Sequence, residues 1–572
     1  MNNAKLSYHG LIDEAAHFVE KMQLLDKPLW EKVIAVFDNG QFQKGWHGEY
    51  WGKLMRGGCI VYKYNESETL YSVLTDAVKG LLACQDEKGR ITAYAEEFEF
   101  SNWDVWCRKY VMYGLMYYMD ICKDDSFKAQ ILSALIKHAD YIIERIGNAE
   151  GQKDITETSH YWLGANSSSI LRPYVLLYKL TNDKKYLDFA EYIISTGGIQ
   201  GGNLITLAAQ DEVAPYQYPE TKAYETTSFF EGVFEYALLT NNAYLTDACI
   251  KYGNKILETD FTLIGATGCY DELFNNATKM QVTYIEKHMQ ETCVTVTIME
   301  YMCRLLEYTG AAKYADAIEL AFYNAFLGAI NREYGNNDGL HFDSYSPILN
   351  NRRGLCVGGR QILLDGSYYG CCAAIGAAGF GAVTAMSAVC KNDRLKVSFY
   401  ENGTITFDKT TLLVDTAYPF DGAIKFTVAQ AESPIQLLLR IPGWCKNYTV
   451  SLNGEAASGV LENGYFMIDR PIQAGDIVVL TLDMPFNTYH SEEFDPEVDS
   501  LFAITRGPIV FATENYEAHD FEEAQPASYK FAGISSSAHI RTASGEDVEI
   551  SNYASVGMDW SKALTVWLKK KQ

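Results

Sequence analysis

From about residue 10 to residue 395 the apolar residues of this chain recur three or four apart, and beyond that they fall into short alternating runs. Segments such as ESETLYSVLTDAVKGLLACQ, YVMYGLMYYMDICK, FKAQILSALIKHADYIIERIG, SFFEGVFEYALLT and VTVTIMEYMCRLLEYTG have the period of helices with a buried face. Polar turns (CKDDS, TNDKK, TNNAY, TGAAK) join them in pairs, so the repetition is one of architecture rather than of wording. A dozen or so helices of this kind fit either a superhelical solenoid or a closed ring of hairpins, and spacing alone does not separate the two.

Near residue 393 the texture changes. LKVSFYE, TITFDKT, GAIKFTVAQ, IQLLLRIPGW, NYTVSLNG, DIVVLTLDM and SLFAITRGPIVFATE are rich in Val, Ile, Thr and Phe and are bounded by turns such as ENG and NGE. Several alternate with period two, as half-buried antiparallel strands do. A β-sandwich is expected, continuing less regularly to the C-terminus. The chain therefore divides into a helical region over 1–392 and a β-sandwich region over 393–572, which the extreme N-terminus is a candidate to join. At 572 residues it is too long for one hydrophobic core.

Charge narrows the partners. With 48 basic against 73 acidic residues the formal charge is −25, which opposes binding to a phosphate backbone or an anionic membrane. Thirteen cysteines at irregular intervals, many in apolar surroundings such as Cys59, Cys122, Cys249 and Cys390, read as reduced thiols rather than a disulfide framework. The N-terminal segment has no basic start followed by an apolar run, and no stretch reaches 18 uninterrupted apolar residues. The expectation is a cytoplasmic enzyme, or a periplasmic or secreted one if a signal segment has been removed. A homodimer is compatible with the β-region.

The adjacent Cys371 and Cys372 carry the most specific chemistry. Neighbouring cysteines do not readily form a disulfide with each other, whereas with further thiolates and a carboxylate they suit a borderline-soft cation such as zinc. Glu291 and Cys293, in HMQETCVTVTIMEYM, are the strongest partners, because at a helix entrance both can converge on one ion. Packed thiols are the competing reading of the residues alone.

The chain resembles glycoside hydrolase family 127, the beta-L-arabinofuranosidase family. The resemblance runs through GEYWGKLMRGG, ETC at 291–293, EYTGAAKYADAIELAFYNAFLGAI at 307–330, the cysteine pair, RIPGW, SLNG and TRGPIVF. It implies an (α/α)6 barrel followed by a β-sandwich, and a zinc-bound cysteine nucleophile. Carried over by position, Glu291, Cys293, Cys371 and Cys372 match the zinc ligands, Cys371 the nucleophile and Glu319 a carboxylate that binds sugar hydroxyls. The segment IGATGCYDELF points to Glu272 as the proton donor, with Asp271 and Glu286 as nearby alternatives. The chain departs from the family in reading AAIG after the cysteine pair, and in lacking clear matches to the histidines of the arabinose pocket.

Polar and aromatic clusters add candidates for a sugar cleft, where ring faces cover apolar sugar surface and charged groups take hydroxyls. These are Trp46, His47, Glu49, Tyr50 and Trp51; Trp103, Asp104, Trp106, Arg108 and Lys109; His160 and Trp162; and His341 and Tyr345. Core packing and helix-cap ion pairs are the bland alternative for each. Of these, Glu49, Trp51, Trp103, Asp104, Arg108, His160 and Tyr345 are the substrate-binding candidates. GGIQGG at 197–202 lacks the lysine and flanking elements of a phosphate loop, and no HExxH occurs. The function expected is a retaining exo-glycosidase that removes a terminal sugar, by the resemblance beta-L-arabinofuranose or a related sugar, from a plant-derived oligosaccharide or glycoconjugate. A noncatalytic carbohydrate-binding protein with structural zinc, or another helical-barrel glycosidase or lyase, is the alternative.

Overall fold

The structure is a computed structural model that describes residues 2–38, 40–284, 288–332, 340–354, 359–391, 393–514 and 520–571. Its helices alternate between an inner and an outer layer. The inner ones are Glu49–Asn65, Asp104–Ile121, Leu171–Thr181, Ala223–Thr240, Thr292–Thr309 and the stretch opened by Cys371–Ile375 and closed by Phe380–Met386. The last packs back against the first, so the array is a closed (α/α)6 barrel rather than a solenoid.

Burial separates the layers. In Asp104–Ile121 nearly every side chain up to Met119 is buried, because neighbours flank the helix on all sides. Outer helix Asp125–Ile143 instead buries Ile131, Ala134, Leu135, His138, Ala139 and Ile142, one stripe at helical spacing. Close approach between inner helices needs small residues: a Cβ at Gly52 would stand 1.9 Å from the Tyr110 carbonyl oxygen. Among the described residues no helix is long and apolar enough to cross a membrane.

Three main sheets follow. One of six strands and one of seven share a core through Leu437, Leu439, Ile424, Phe426 and Leu480 and form the sandwich. The chain start belongs to them: Asn2–Asn3 pairs antiparallel with Ala388–Lys391, and Lys5–Tyr8 with Gly403–Phe407. A further seven-stranded sheet occupies 486–569, the stretch where the sequence pattern is less regular.

A buried polar knot ties barrel to sandwich. Glu319 is ion-paired with Arg440, accepts a hydrogen bond from the Tyr418 hydroxyl at 2.5 Å and another from Trp444 Nε1 at 3.3 Å. Arg440 also reaches Asp316 at 2.6 Å and the Ser398 carbonyl at 2.6 Å. The RIPGW motif thus serves the junction between the two regions.

Candidate active site

The entrances of the inner helices converge on a pocket of about 230 Å³. Glu291 caps the helix Thr292–Thr309 and Cys293 lies in its first turn, while Cys371 and Cys372 open the last inner stretch. One ligand atom from each of these four buried residues lies within 4.8 Å of the other three. Sγ of Cys293 is 3.4 Å from that of Cys372, and the Cys371 and Cys372 sulfurs are 3.7 Å apart. Glu291 Oε1 is 3.5 Å from Cys371 Sγ and 3.3 Å from Cys372 Sγ. Three thiols and a carboxylate at this spacing can hold a metal ion.

Their electrostatics are uneven. Thiol donors from Cys293 and Cys372, together with the Lys53 ammonium, hold Cys371 well below the usual thiol range, whereas burial pushes Cys293 and Cys372 well above it. Burial and the negative charge of Glu272 and Cys371 raise Glu291. Gly359 makes room for Cys371: at φ +58°, a Cβ there would be 1.9 Å from Cys371 Sγ. The Gly359 carbonyl is held by Trp46 Nε1 at 2.8 Å and the Tyr50 hydroxyl at 2.9 Å.

Cys371 and Glu291 line the pocket, and Cys293 and Cys372 lie fully buried behind them. Glu272 stands in the same wall, at two successive left-handed residues, Asp271 (φ 44°) and Glu272 (φ 67°). Tyr345 donates to its Oε1 at 2.6 Å and Lys222 pairs with its Oε2. Asp271 instead faces solvent and pairs with His288 at 2.9 Å. Glu286 lies outside the described residues.

Of the other sequence candidates, Glu49, Trp46, Trp103, Trp106 and Trp162 line the pocket. Glu49 pairs with Lys53 at 2.9 Å and accepts from Trp106 Nε1, while burial raises its carboxyl. Trp51 faces the helix core, its ring against Gly114 and its Nε1 bonded to the Ala77 carbonyl at 3.3 Å. Asp104 and Arg108 form a buried brace at 2.9 Å, with Arg108 also on Glu99 at 2.6 Å, because an i,i+4 pair inside a packed helix finds its partners locally. His160 is exposed and rests on Tyr161, and neither His47 nor His341 is among the lining residues. Glu319 sits in the barrel–sandwich knot, away from the pocket. It is not among the residues lining the pocket.

Sequence reasoning passed over Lys53, Lys222, Tyr224 and Glu225, all in the pocket wall. Charged residues inside otherwise apolar inner-helix segments were the available signal. Lys53 is held by Glu49 and by the rings of Tyr224 and Tyr110, 4.7 and 5.1 Å away. Lys222 stands 4.7 Å from the Trp162 ring. A larger cavity of about 550 Å³ lies further along the inner helices, lined by Arg56, Arg172, Arg304 and Glu300, but each of its guanidinium groups is ion-paired, Arg56 with Glu300, Arg172 with Glu300, Glu235 and Glu231, and Arg304 with Glu235 and Glu307.

Residues 4–337 match the model of the beta-L-arabinofuranosidase GH127 catalytic domain, and residues 394–484 that of its middle domain. A non-reducing end beta-L-arabinofuranosidase of Bifidobacterium longum subsp. longum is 23% identical over 384 residues, which cover 60% of this chain and 56% of that protein. The match thus spans little more than half of that relative. Two solved structures share the fold: a GH127 beta-L-arabinofuranosidase from Geobacillus stearothermophilus T6 (TM-score 0.76, 19% identity, 100% of both chains) and a GH127 beta-arabinofuranosidase (TM-score 0.75, 19% identity, 100% of this chain and 97% of the other).

Proposed function

Because the chain belongs to the GH127 family of beta-L-arabinofuranosidases, we propose that it is a retaining exo-glycoside hydrolase that releases terminal beta-L-arabinofuranose, or a related sugar, from a plant-derived glycan or glycoconjugate. Cys371 is the nucleophile, Glu272 the acid/base, and Glu291, Cys293, Cys371 and Cys372 the zinc ligands. The donor set fits zinc: bonds of about 2.3 Å to sulfur and about 2.0 Å to oxygen give a tetrahedron with edges of roughly 3.5–3.8 Å. Four of the six separations in the cluster run from 3.3 to 3.7 Å, and all lie within 4.8 Å. Glu291, Cys293, Cys371 and Cys372 would hold the ion, which would lower the thiol pKa values and fix the sulfurs.

The chain's own groups then divide the reaction. Cys371 Sγ attacks the anomeric carbon from the pocket side and forms a C–S bond as the glycosidic C–O bond breaks. Glu272 gives its proton to the leaving oxygen. In the second half Glu272 takes a proton from water, the water oxygen attacks the same carbon, and the C–S bond breaks. Two inversions give net retention. Lys222 and Tyr345 orient the Glu272 carboxyl, and the rings of Trp103, Trp106 and Trp162 exclude water and cover the sugar's apolar face.

The observation that carries this reading is that Cys371, a member of the four-residue cluster, shares a pocket wall with Glu272. A structural metal in a noncatalytic binding protein would be closed off from the cavity. The test is metal analysis of the purified protein together with turnover of Cys371→Ala and Glu272→Gln on aryl glycofuranosides and glycopyranosides. One bound zinc and loss of turnover by at least about 1,000-fold in C371A are expected. Protein without zinc, or full activity in C371A, refutes the mechanism.

A further inference from the structure

Among the described residues four carboxyl groups line the pocket, and three have assigned work. Glu49 has one oxygen on Lys53 and the other on Trp106, Glu272 is held by Tyr345 and Lys222, and Glu291 belongs to the thiol cluster. Glu225 differs. It stands in the first turn of the inner helix Ala223–Thr240, is 2% exposed, and among the described residues its Oε2 has no hydrogen-bond partner. Its neighbour in sequence, Lys222, is already spent on Glu272.

A buried carboxyl oxygen without a partner carries its full desolvation penalty, so its retention in a pocket wall points to a partner that arrives with the ligand. Two further features mark the same wall. Trp162 also lines the pocket, and its indole Nε1–H has no acceptor. Its backbone is left-handed (φ 55°), as are those of Leu163 (φ 49°) and Gly164 (φ 83°), which is strain of the kind held at ligand sites. Burial raises the Glu225 carboxyl to about 7, against the opposing pull of Lys222, which suits a group that exchanges hydrogen bonds with neutral hydroxyls.

We propose that Glu225 is a specificity-determining residue, its free carboxyl oxygen taking the hydrogen bond of a ring hydroxyl on the glycone. This rests on the sugar-hydrolase reading above. A site built to bond a hydroxyl rejects the analogue lacking it far more strongly than an apolar wall does, because the buried oxygen is then left alone. The discrimination is therefore positional, falling on one hydroxyl of the sugar.

The test uses 4-nitrophenyl beta-L-arabinofuranoside and its 2-deoxy and 3-deoxy analogues with wild type, Glu225→Ala and Glu225→Gln, after checking that thermal midpoint and metal content are unchanged. E225A is expected to lose about 10- to 100-fold in kcat/KM on the parent glycoside but less than about twofold on one deoxy analogue. E225Q, whose amide oxygen still accepts, should fall between. A change within twofold on the parent, or equal losses on all three glycosides, overturns the assignment while leaving the hydrolase intact. If wild type cleaves no aryl glycoside, the hydrolase reading fails, and thermal shifts with free pentoses and hexoses decide on Glu225: a wild-type shift lost in E225A sustains it, and a shift retained or absent overturns it.

Discussion

Replacing Glu319 separates a sugar contact from a structural tie. The carboxyl is 1% exposed, and its partners Arg440, Tyr418 and Trp444 all belong to the sandwich region. Glu319→Ala leaves the fully buried Arg440 guanidinium with Asp316 as its remaining carboxylate, and breaking a buried pair from one side costs about 3–5 kcal/mol. The freed Tyr418 and Trp444 donors add about 1 kcal/mol each where water does not reach them. Asp316, partly exposed, offsets part of this, so a loss of about 3–4 kcal/mol is expected. Glu319→Met with Arg440→Met removes the uncompensated guanidinium but leaves Asp316, Tyr418 and Trp444 without these partners, so it should recover only part of the loss. Urea denaturation and limited proteolysis at the barrel–sandwich junction measure the loss, and steady-state kinetics at 25 °C should show KM within about threefold of wild type. A KM raised tenfold or more with unchanged unfolding would refute the structural assignment and return Glu319 to the sugar.

Two further outcomes follow from the geometry. Gly359→Ala places a Cβ against Cys371 Sγ in a left-handed backbone, so turnover and metal content should fall together, and an active, metal-replete G359A would contradict the packing described. Burial lifts the Glu401 carboxyl to about 8, above its unfolded value near 4.3. A raised carboxyl gives stability that is fully present below the unfolded pKa and is lost as pH rises through the folded one. Wild type should therefore lose a few kcal/mol between about pH 4.5 and 8 from this group, and Glu401→Gln should flatten that part of a stability–pH profile, with parallel profiles for the two proteins arguing against it.

Several features were legible without coordinates because they are local. The helix period, the strand alternation after residue 393 and the helix-entrance placement of Glu291 and Cys293 depend on residues a few positions apart. The cysteine pair and its partners stood out as candidate ligands against a competing reading as packed thiols, and the family resemblance implied all four as a set. The expected residues Glu49 and Trp103 reach the pocket, whereas Trp51, two positions from Glu49 on the same helix, points into the core. Motif proximity does not distinguish faces of one turn.

Ring closure and the pairing of distant side chains were decided by the tertiary structure. Whether the helices form a solenoid or a barrel depends on the last inner helix meeting the first, a contact more than 300 residues apart that no local period encodes. The same long-range packing brings Lys222 to Glu272, leaves Glu225 Oε2 without a hydrogen-bond partner among the described residues, and takes Glu319 to the sandwich. Sequence determined which residues are apolar, charged or thiol-bearing and which face of a helix they share. Three-dimensional packing determined which of the charged ones are paired and which keep an atom free for a ligand, because a buried charge takes its partner from whatever the fold brings within a few ångströms.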